Sequence, residues 1–157
     1  MIDVYTSHKD SPTYAPCACT TVKKLSRVLG RVYDAALAPA AINVTQFAVM
    51  RAIARHDGEP LARVASELQM DRTSLYRAIA PMERDGWIEL AAGMDARSRS
   101  ARVTRKGSRV LANAAAEWDE LQHNLMKAFG KAEWNSLAAE LKRLSECAAE
   151  LEGSKQL

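Results

Sequence analysis

The sequence feature that most constrains the fold is a pair of short helical patterns separated by only two residues. The first pattern spans residues 61–68 and places four apolar residues on one face: Leu61, Val64, Ala65 and Leu68. After the gap, Asp71 is a suitable N-cap for a second helix over residues 72–84, because its carboxylate can accept the free N–H groups of the first turn. Two helices joined this tightly are typical of a helix-turn-helix motif.

The helix predicted over residues 72–84 has two faces of opposite character at 100° per residue. Its apolar face carries Leu75, Ala78, Ile79 and Met82. The opposite face is polar or small, with two more such residues at its flanks: Thr73, Arg77, Ala80 and Arg84, then Ser74 and Tyr76. We expect the apolar face to pack inward and the polar face to enter a groove.

A β-hairpin is predicted after this helix. Asp85 and Gly86 end the helix, and residues 87–90 and 101–103 have the pattern of short strands. The loop between them belongs to a basic segment, residues 92–109, which holds six basic residues and one acidic residue. That density suits a polyanionic partner, although a solvated surface loop explains it equally well.

Helical patterns flank this central region on both sides. Apolar spacing predicts a first helix over residues 20–38, and Thr45 is expected to cap the helix that follows. Thr104 is expected to cap a long helix ending at Phe129, and residues 134–151 repeat apolar side chains as in a coiled-coil seam. The predicted fold class is mainly α with a small β-hairpin: a winged helix-turn-helix domain with N- and C-terminal dimerisation helices.

Four segments follow from this interpretation, and their charges differ. They are an N-terminal tail or arm (1–19), an N-terminal helix contributing to dimerisation (20–44), a winged helix-turn-helix DNA-binding domain (45–109) and C-terminal dimerisation helices (110–157). Residues 45–109 hold 12 basic and 8 acidic side chains, whereas residues 110–157 hold 5 basic and 8 acidic ones. The basic centre is therefore the part suited to nucleic acid.

The composition bounds the class of protein. The chain has 157 residues, 48% of them hydrophobic and 26% charged, which favours one globular domain or a domain with an arm. No apolar stretch reaches the roughly 20 residues of a membrane span, and the first 16 residues lack the apolar core of a secretory signal, so a cytoplasmic protein is expected. The residues offer no phosphate loop, metal-ligand spacing or catalytic set, so we expect no enzyme, cofactor or metal.

Four short motifs, taken in order and at their spacing, carry a family resemblance. They are residues 71–77 at the start of the second motif helix, residues 82–88 at the junction with the hairpin, Asp95-Ala96-Arg97 in the basic loop, and residues 103–107 before the long helix. Together they resemble the MarR family of transcriptional regulators. The order of elements is similar to that family over nearly the whole chain after residue 19.

The resemblance implies DNA contacts from two places. In that family the wing arginine reaches the minor groove while a paired aspartate steadies it, roles that correspond here to Arg97 and Asp95. A guanidinium also suits the negative potential of a narrow minor groove. The predicted DNA-binding residues are Thr73, Ser74, Tyr76 and Arg77 on the helix, and Asp95, Arg97 and Arg99 in the wing. Arg77 is the preferred base reader, because arginine pairs bidentately with guanine.

The resemblance also implies regulation by a small molecule. The predicted function is a homodimeric repressor on a pseudo-palindromic operator in double-stranded DNA, released by a small aromatic or phenolic effector that favours another conformation. The residues expected to line the effector pocket are Arg31, Tyr33, Phe47, Met50 and Trp118. Apolar residues at this spacing also fit an ordinary core, and a solvated face explains Arg31.

Two other functions are open on the sequence alone. Cys17 and Cys19 lie just before the first helix, where a thiolate is more reactive, so a thiol-based redox-sensing regulator is the first alternative. Inert reduced thiols are the simpler interpretation for a cytosolic protein. The second alternative is a protein-interaction module whose winged helix does not contact DNA, and the basic hairpin and the polar helix face argue against it.

Overall fold

The computed structural model describes residues 16–92 and 99–154. Its helices are α1 (Ala18–Leu37), a short 3-10 helix (Ala38–Ala40), α2 (Val44–Arg55), α3 (Leu61–Glu67), α4 (Arg72–Arg84), α5 (Arg105–Phe129) and α6 (Lys131–Gly153). Strands β1 (Ile88–Ala92) and β2 (Arg99–Val103) form an antiparallel hairpin between α4 and α5. The predicted fold class, mainly α with a small β-hairpin, is confirmed.

The junction between α1 and α2 differs from its prediction. Asn43, and not Thr45, caps α2: its side chain accepts a hydrogen bond from the Gln46 N–H (2.9 Å), and the Gln46 side chain accepts one from the Asn43 N–H (3.1 Å). The prediction at Thr45 is therefore wrong, because this reciprocal pair begins the helix at Val44. Asp34 of α1 also accepts a hydrogen bond from the Val44 N–H (2.8 Å), which joins the two helices.

Helix α2 lies at the centre of the hydrophobic core. Its buried residues are Phe47, Val49, Met50, Ala52 and Ile53. Helical spacing would put Ala54 on one stripe with Phe47, Met50 and Ile53, yet Ala54 is exposed. The buried surface includes Val49 and Ala52 instead, because α2 contacts α3, α4, α5 and β2 and so buries more than one narrow stripe.

The helix-turn-helix forms as predicted. Asp71 caps α4, and α4 has the bounds expected from the sequence. Its inner face carries Leu75, Ile79 and Met82, which are buried, and Ala78, which is half-buried. The polar side of α4 is thereby turned to solvent.

The hairpin pairs Ile88 with Val103 at its base and Ala92 with Arg99 at its distal end. Trp87, which the sequence pattern placed in the first strand, instead precedes it. Its N–H donates to the carbonyl of Met82 (2.8 Å), so the chain is still bound to the last turn of α4 at this point.

Hydrogen bonds and close packing connect the start of α5 to the base of the hairpin. Thr104 caps α5 as predicted: its hydroxyl accepts a hydrogen bond from the Gly107 N–H (3.1 Å) and donates to the carbonyl of Gly86 (2.7 Å). A Cβ atom at Gly107 would collide with the Trp87 carbonyl oxygen, so the close approach of helix and hairpin requires glycine there.

The terminal helices bury few side chains within the chain. Leu37 is the only buried residue of α1, and α6 has none. Among the residues that the structure describes, the large apolar side chains that stay exposed lie on α1, α6 and the end of α5: Val22, Leu25, Val28, Val32, Phe129, Leu144 and Leu151. Dimerisation through these helices stays a prediction.

Within residues 16–92 and 99–154, no helix taken singly has the length and apolar character needed to cross a membrane. The segments Ala18–Ala40 and Val44–Arg55 meet that test only when taken together, across a 72° bend.

Candidate nucleic-acid interface

The solvent-facing side of α4 presents the residues that the sequence predicted to contact DNA. Thr73, Arg77, Ala80 and Arg84 are all exposed. Arg84 donates from Nε to the Asp85 carboxylate (3.1 Å), so part of its guanidinium is engaged at the C-terminal end of the helix. Thr73 and Arg77 lie one turn apart near the N-terminal end, where a recognition helix usually meets base edges.

Asp71 holds the first turn of α4 in place. Its carboxylate accepts hydrogen bonds from the Ser74 N–H (2.9 Å) and from the Ser74 hydroxyl (2.6 Å). These hydrogen bonds from the side chain and backbone of Ser74 lower the pKa of the Asp71 carboxyl. The hydroxyl of Ser74 is thus used within the cap, and its exposed oxygen still has room to accept a further hydrogen bond.

Tyr76 lies in a surface cavity at the side of α4. The ring is half-buried, and the guanidinium of Arg72 lies over it, 5.6 Å from the ring centroid. The cavity has a volume of about 320 Å³ and is lined by Pro60, Leu61, Ala62, Ala65, Arg72, Leu75, Tyr76 and Arg99. The cavity therefore brings an arginine of α4 and an arginine of the hairpin to one place at the side of α4.

Arg72 lines this cavity, and the sequence analysis did not single it out. A signal was present, because Arg72 and Tyr76 are four residues apart and so share a helix face, where an arginine can lie over an aromatic ring. Periodicity separates an inner face of the helix from an outer one, and Arg72 lies between the two.

The hairpin and the start of α5 supply further basic side chains. Arg99 is exposed at the distal end of β2, while the predicted wing-tip residues Asp95 and Arg97 lie outside the described residues. Arg102 is exposed and has its Nε 3.4 Å from the Asp57 carboxylate. Lys106 donates to the Asp85 carbonyl (2.8 Å), so it satisfies a backbone acceptor at the end of α4.

A second cavity separates α2 from α5. Phe47 and Trp118, both predicted to line an effector pocket, have ring centroids 6.1 Å apart. Arg51, which the sequence analysis missed, lies over both rings, 5.4 Å from the Phe47 centroid and 4.9 Å from that of Trp118. The cavity measures about 350 Å³ and is lined by these three residues and Leu111, Ala112, Ala115 and Asp119.

The other predicted effector residues lie elsewhere. Met50 is fully buried in the core, and Arg31 is exposed on α1. The Tyr33 hydroxyl donates to the Gln122 side-chain oxygen and so links α1 to α5, while partial burial raises the pKa of Tyr33. The structure thus brings together Phe47 and Trp118, but not the remaining three.

The thiols are accessible. Cys17, Cys19 and Cys147 are free and exposed, and Cys17 is the N-cap residue of α1, which begins two residues before its predicted start. Hydrogen bonds with the side chain and the backbone of Thr20 lower the pKa of the Cys17 thiol. Among the described residues, no group of three histidine, cysteine, aspartate or glutamate side chains is placed to hold a metal ion.

Comparison with known proteins identifies regulators with this arrangement. The family model described as the IclR helix-turn-helix domain matches residues 47–91, from α2 to β1. The chain is 33% identical over 82 residues to the HTH-type transcriptional regulator BilQ of Clostridioides difficile (strain CD3). That match covers 50% of this chain and 53% of BilQ, so the chain spans about half the length of this curated relative.

The solved structures similar over most of the chain include two transcriptional regulators. The transcriptional regulator MosR of M. tuberculosis, solved in complex with DNA, has 30% sequence identity and a TM-score of 0.78, covering 86% of this chain and 98% of that chain. MarR from E. coli, in its apo form, has 20% identity and a TM-score of 0.63, covering 83% of this chain and 98% of that one. The second similarity concerns the fold alone.

Proposed function

The chain belongs to the MarR family of winged-helix transcriptional regulators, and from this premise we propose that it is a homodimeric repressor released from its operator by a small effector. The observation that carries the proposal is the exposed N-terminal half of α4: Thr73 and Arg77 face solvent, and Arg99 of the hairpin lines the cavity at the side of the same helix. The 30% identity to a regulator solved with DNA supports the same use of this surface.

In the proposed complex, each copy of α4 enters a major groove. Arg77 reads a base edge, and Thr73 and Ser74 contact the duplex from the first turn. Arg72 and Arg99 bind phosphates beside the groove, where their charge raises affinity without specifying sequence. Arg97, steadied by Asp95, reaches the adjacent minor groove. The Tyr76 ring packs under the guanidinium of Arg72, and only the edge of the ring contacts the duplex.

Selection of bound genomic fragments by the purified protein identifies the operator, and substitutions then test the contacts. Arg77→Ala should lower affinity for the selected operator about tenfold and reduce discrimination against altered half-sites. Arg97→Ala should lower affinity for all duplexes and reduce the slope of log affinity against log salt concentration by about one unit.

Lys142→Ala is the matched control for these variants, because it removes one positive charge from the exposed surface of α6 and breaks only a surface ion pair with Glu146. Equal losses of affinity in the control and in the arginine variants would contradict the proposed interface. Failure of the wild-type protein to bind any duplex at low salt would contradict the function itself.

The homodimer is proposed from the apolar side chains left exposed on α1 and α6. Val22, Leu25, Val28 and Val32 form a stripe on α1 and are each 40–48% exposed. Helices of this kind need a partner for their apolar face, and a second copy supplies one with two-fold symmetry. The two reading helices then lie about one DNA turn apart, which matches a pseudo-palindromic operator.

The cavity between α2 and α5 is the proposed effector site. Phe47 and Trp118 offer aromatic walls, and the guanidinium of Arg51 can pair with a carboxylate or a phenolate. Benzoate is a suitable probe: it should change the fluorescence of Trp118 and weaken operator binding. Both responses should be lost in Arg51→Gln and kept in Arg31→Gln, which changes an exposed arginine of α1.

A thiol-based redox-sensing regulator is the second candidate, favoured only by the lowered pKa of the exposed Cys17 thiol. No hydrogen bond or ion pair among the described residues connects Cys17 or Cys19 to α4 or the hairpin. The double variant with serine at both positions provides the test. If peroxide weakens operator binding of the wild type but not of this variant, the thiols are the input; equal responses exclude that role.

A further inference from the structure

The second half of α6 is exposed on all its faces in the single chain. Leu141 is the last half-buried residue of this helix, and every residue from Lys142 to Gly153 is exposed. Leu144 and Leu151, two helical turns apart on one face, are 45% and 68% exposed. Helices shorter than about 12 residues are marginal in water on their own, so this segment is stabilised most by packing against another chain.

Helix α1 leaves an apolar stripe uncovered as well. Leu25, Val28 and Val32 are spaced by three and four residues, as at the a and d positions of a heptad, and they are 41%, 48% and 42% exposed. At 100° per residue, Lys24 and Arg31 fall within about 60° of Val28 around the helix. The stripe on α1 therefore has a positively charged edge.

The charges of the two helices are opposite. Helix α1 carries four basic residues and one acidic residue, whereas the segment from Leu144 to Gly153 carries three glutamates and no basic residue. Two of these glutamates, Glu150 and Glu152, lie on either side of Leu151 around the helix. The apolar face at the end of α6 therefore has a negatively charged edge.

These edge charges are not neutralised within the described part of the chain. Its ion pairs do not include Lys24, Arg31, Glu150 or Glu152. The third glutamate, Glu146, has only a long contact of 3.8 Å with a lysine of its own helix. A surface of opposite charge on a second chain can therefore pair with each edge.

We propose that α1 of one copy packs against the second half of α6 of the other copy, and that their opposite charges select this pairing. In a two-fold dimer the contact occurs twice, and each contact buries the stripe on α1 against Leu144 and Leu151. Pairing of α1 with α1, or of α6 with α6, would bring like charges together and weaken association. The inference rests on the proposed function, because it concerns the proposed homodimer.

The sign of the salt dependence separates these pairings. If α1 packs against α6, salt screens an attraction, and the dimer dissociation constant should rise about threefold to tenfold between about 0.05 and 0.5 M NaCl. If like helices pair, salt screens a repulsion, and the constant should fall. Sedimentation of the wild type at several concentrations measures it, and a fall or an unchanged constant would overturn the proposal.

Charge reversal tests the same pairing by substitution. Lys24→Glu combined with Arg31→Glu gives α1 the charge sign of α6, so the dissociation constant should rise about 30-fold. Adding Glu150→Lys and Glu152→Lys to the same chain makes the two edges opposite again. This fourfold variant should return to within about threefold of the wild type, and its recovery also shows that the reversed helices fold.

The matched control is Lys23→Glu combined with Arg27→Glu. It reverses the same number of exposed charges on α1, but both positions lie about 100° or more from Val28 around the helix. The dissociation constant should change less than about threefold. An equal loss in this control, or no recovery in the fourfold variant, would overturn the proposal.

The remaining outcomes separate this pairing from the function on which it rests. A wild type that stays monomeric at every concentration would contradict the proposed homodimer and the pairing with it. A stable dimer that does not respond to the reversal of α1 would overturn the pairing alone. If that reversal weakens duplex binding but leaves the dimer intact, the basic edge of α1 contacts DNA, and the proposal is wrong.

Discussion

Two regions of the molecule differ in how much apolar surface they bury: the reading module, which consists of α2, α3, α4 and the hairpin, and the terminal helices α1 and α6. In α2, α3, α4 and the hairpin, the apolar side chains are buried in one core, and the side chains left outside are mainly polar. In α1 and α6, the polar and apolar faces are both exposed, and α6 buries no residue. The first region is complete within one chain, whereas the second presents a surface that a second chain can complete.

The two regions also differ in whether side chains cap the N-terminal ends of their helices. Asn43, Asp71 and Thr104 cap α2, α4 and α5 through their side chains, so three helices of the core have fixed starting points. Helices α1, α3 and α6 have no side-chain cap hydrogen bond at their N-terminal ends. The start of α4, which carries the proposed DNA contacts, is thus specified locally, whereas the starts of α1 and α6 depend on contacts made elsewhere, which the proposed dimer would supply.

The largest effect on the free energy of unfolding is expected from a substitution in the core of the reading module. Ile79→Ala removes a side chain that is 1% exposed on the inner face of α4, and it should lower the free energy of unfolding by about 2–5 kcal/mol. Thr73→Ala, on the outer face of the same helix, should change it by less than about 0.5 kcal/mol. Urea unfolding at one protomer concentration measures both. Similar losses in the two variants would remove the distinction between the faces.

The next largest effect is expected on the dissociation constant of the proposed dimer, from a substitution on α6. Leu144 on α6 is 45% exposed in the single chain, and Leu144→Glu should place a charge in the proposed interface. We expect the dimer dissociation constant to rise roughly 100-fold, the cost of burying an unpaired charge. Ser145→Glu adds the same charge at an adjacent exposed position and should leave association nearly unchanged. Sedimentation at several concentrations would show equal weakening if α6 lay outside the interface.

Much of the fold could be predicted because its signals are local. The bounds of α4, its cap at Asp71 and the cap of α5 at Thr104 follow from residues within one helical turn. The same locality explains the error at Thr45. Asn43 and Thr45 are both acceptable caps by residue type, and Gln46, which lies three residues after Asn43, selects the first by completing a capping box.

The residues that line the cavities, and the ion pairs between distant residues, could not be predicted, because both depend on contacts between residues far apart in the sequence. Arg51 belongs to α2, yet it lies over Trp118 of α5. His56 meets Glu67 across a turn and a helix. Periodicity states which face of a helix is apolar, but it does not state which partner lies opposite. For the same reason it could not separate Met50, a core residue, from Phe47, which lines a cavity.

The smallest of the three effects on stability or association concerns the cap of α4. Its dependence on pH tests whether a side-chain cap fixes the start of this helix. The pKa of Asp71 is lowered by its hydrogen bonds to Ser74 in the folded chain, so its contribution to stability is present above the carboxyl pKa of the unfolded chain, about 4. That contribution is lost as the pH falls through the lower folded value. Asp71→Asn retains an acceptor for the cap and does not titrate, whereas Asp71→Ala removes the acceptor.

At neutral pH, the urea midpoint should therefore be highest for the wild type and lowest for Asp71→Ala. The advantage of the wild type over Asp71→Asn should shrink on acidification, because a protonated carboxyl accepts hydrogen bonds more weakly than a carboxylate does. A constant difference between these two proteins at all pH values would mean that the charge of Asp71 does not stabilise the start of α4. The first turn of the reading helix would then depend, as α1 and α6 do, on contacts made elsewhere.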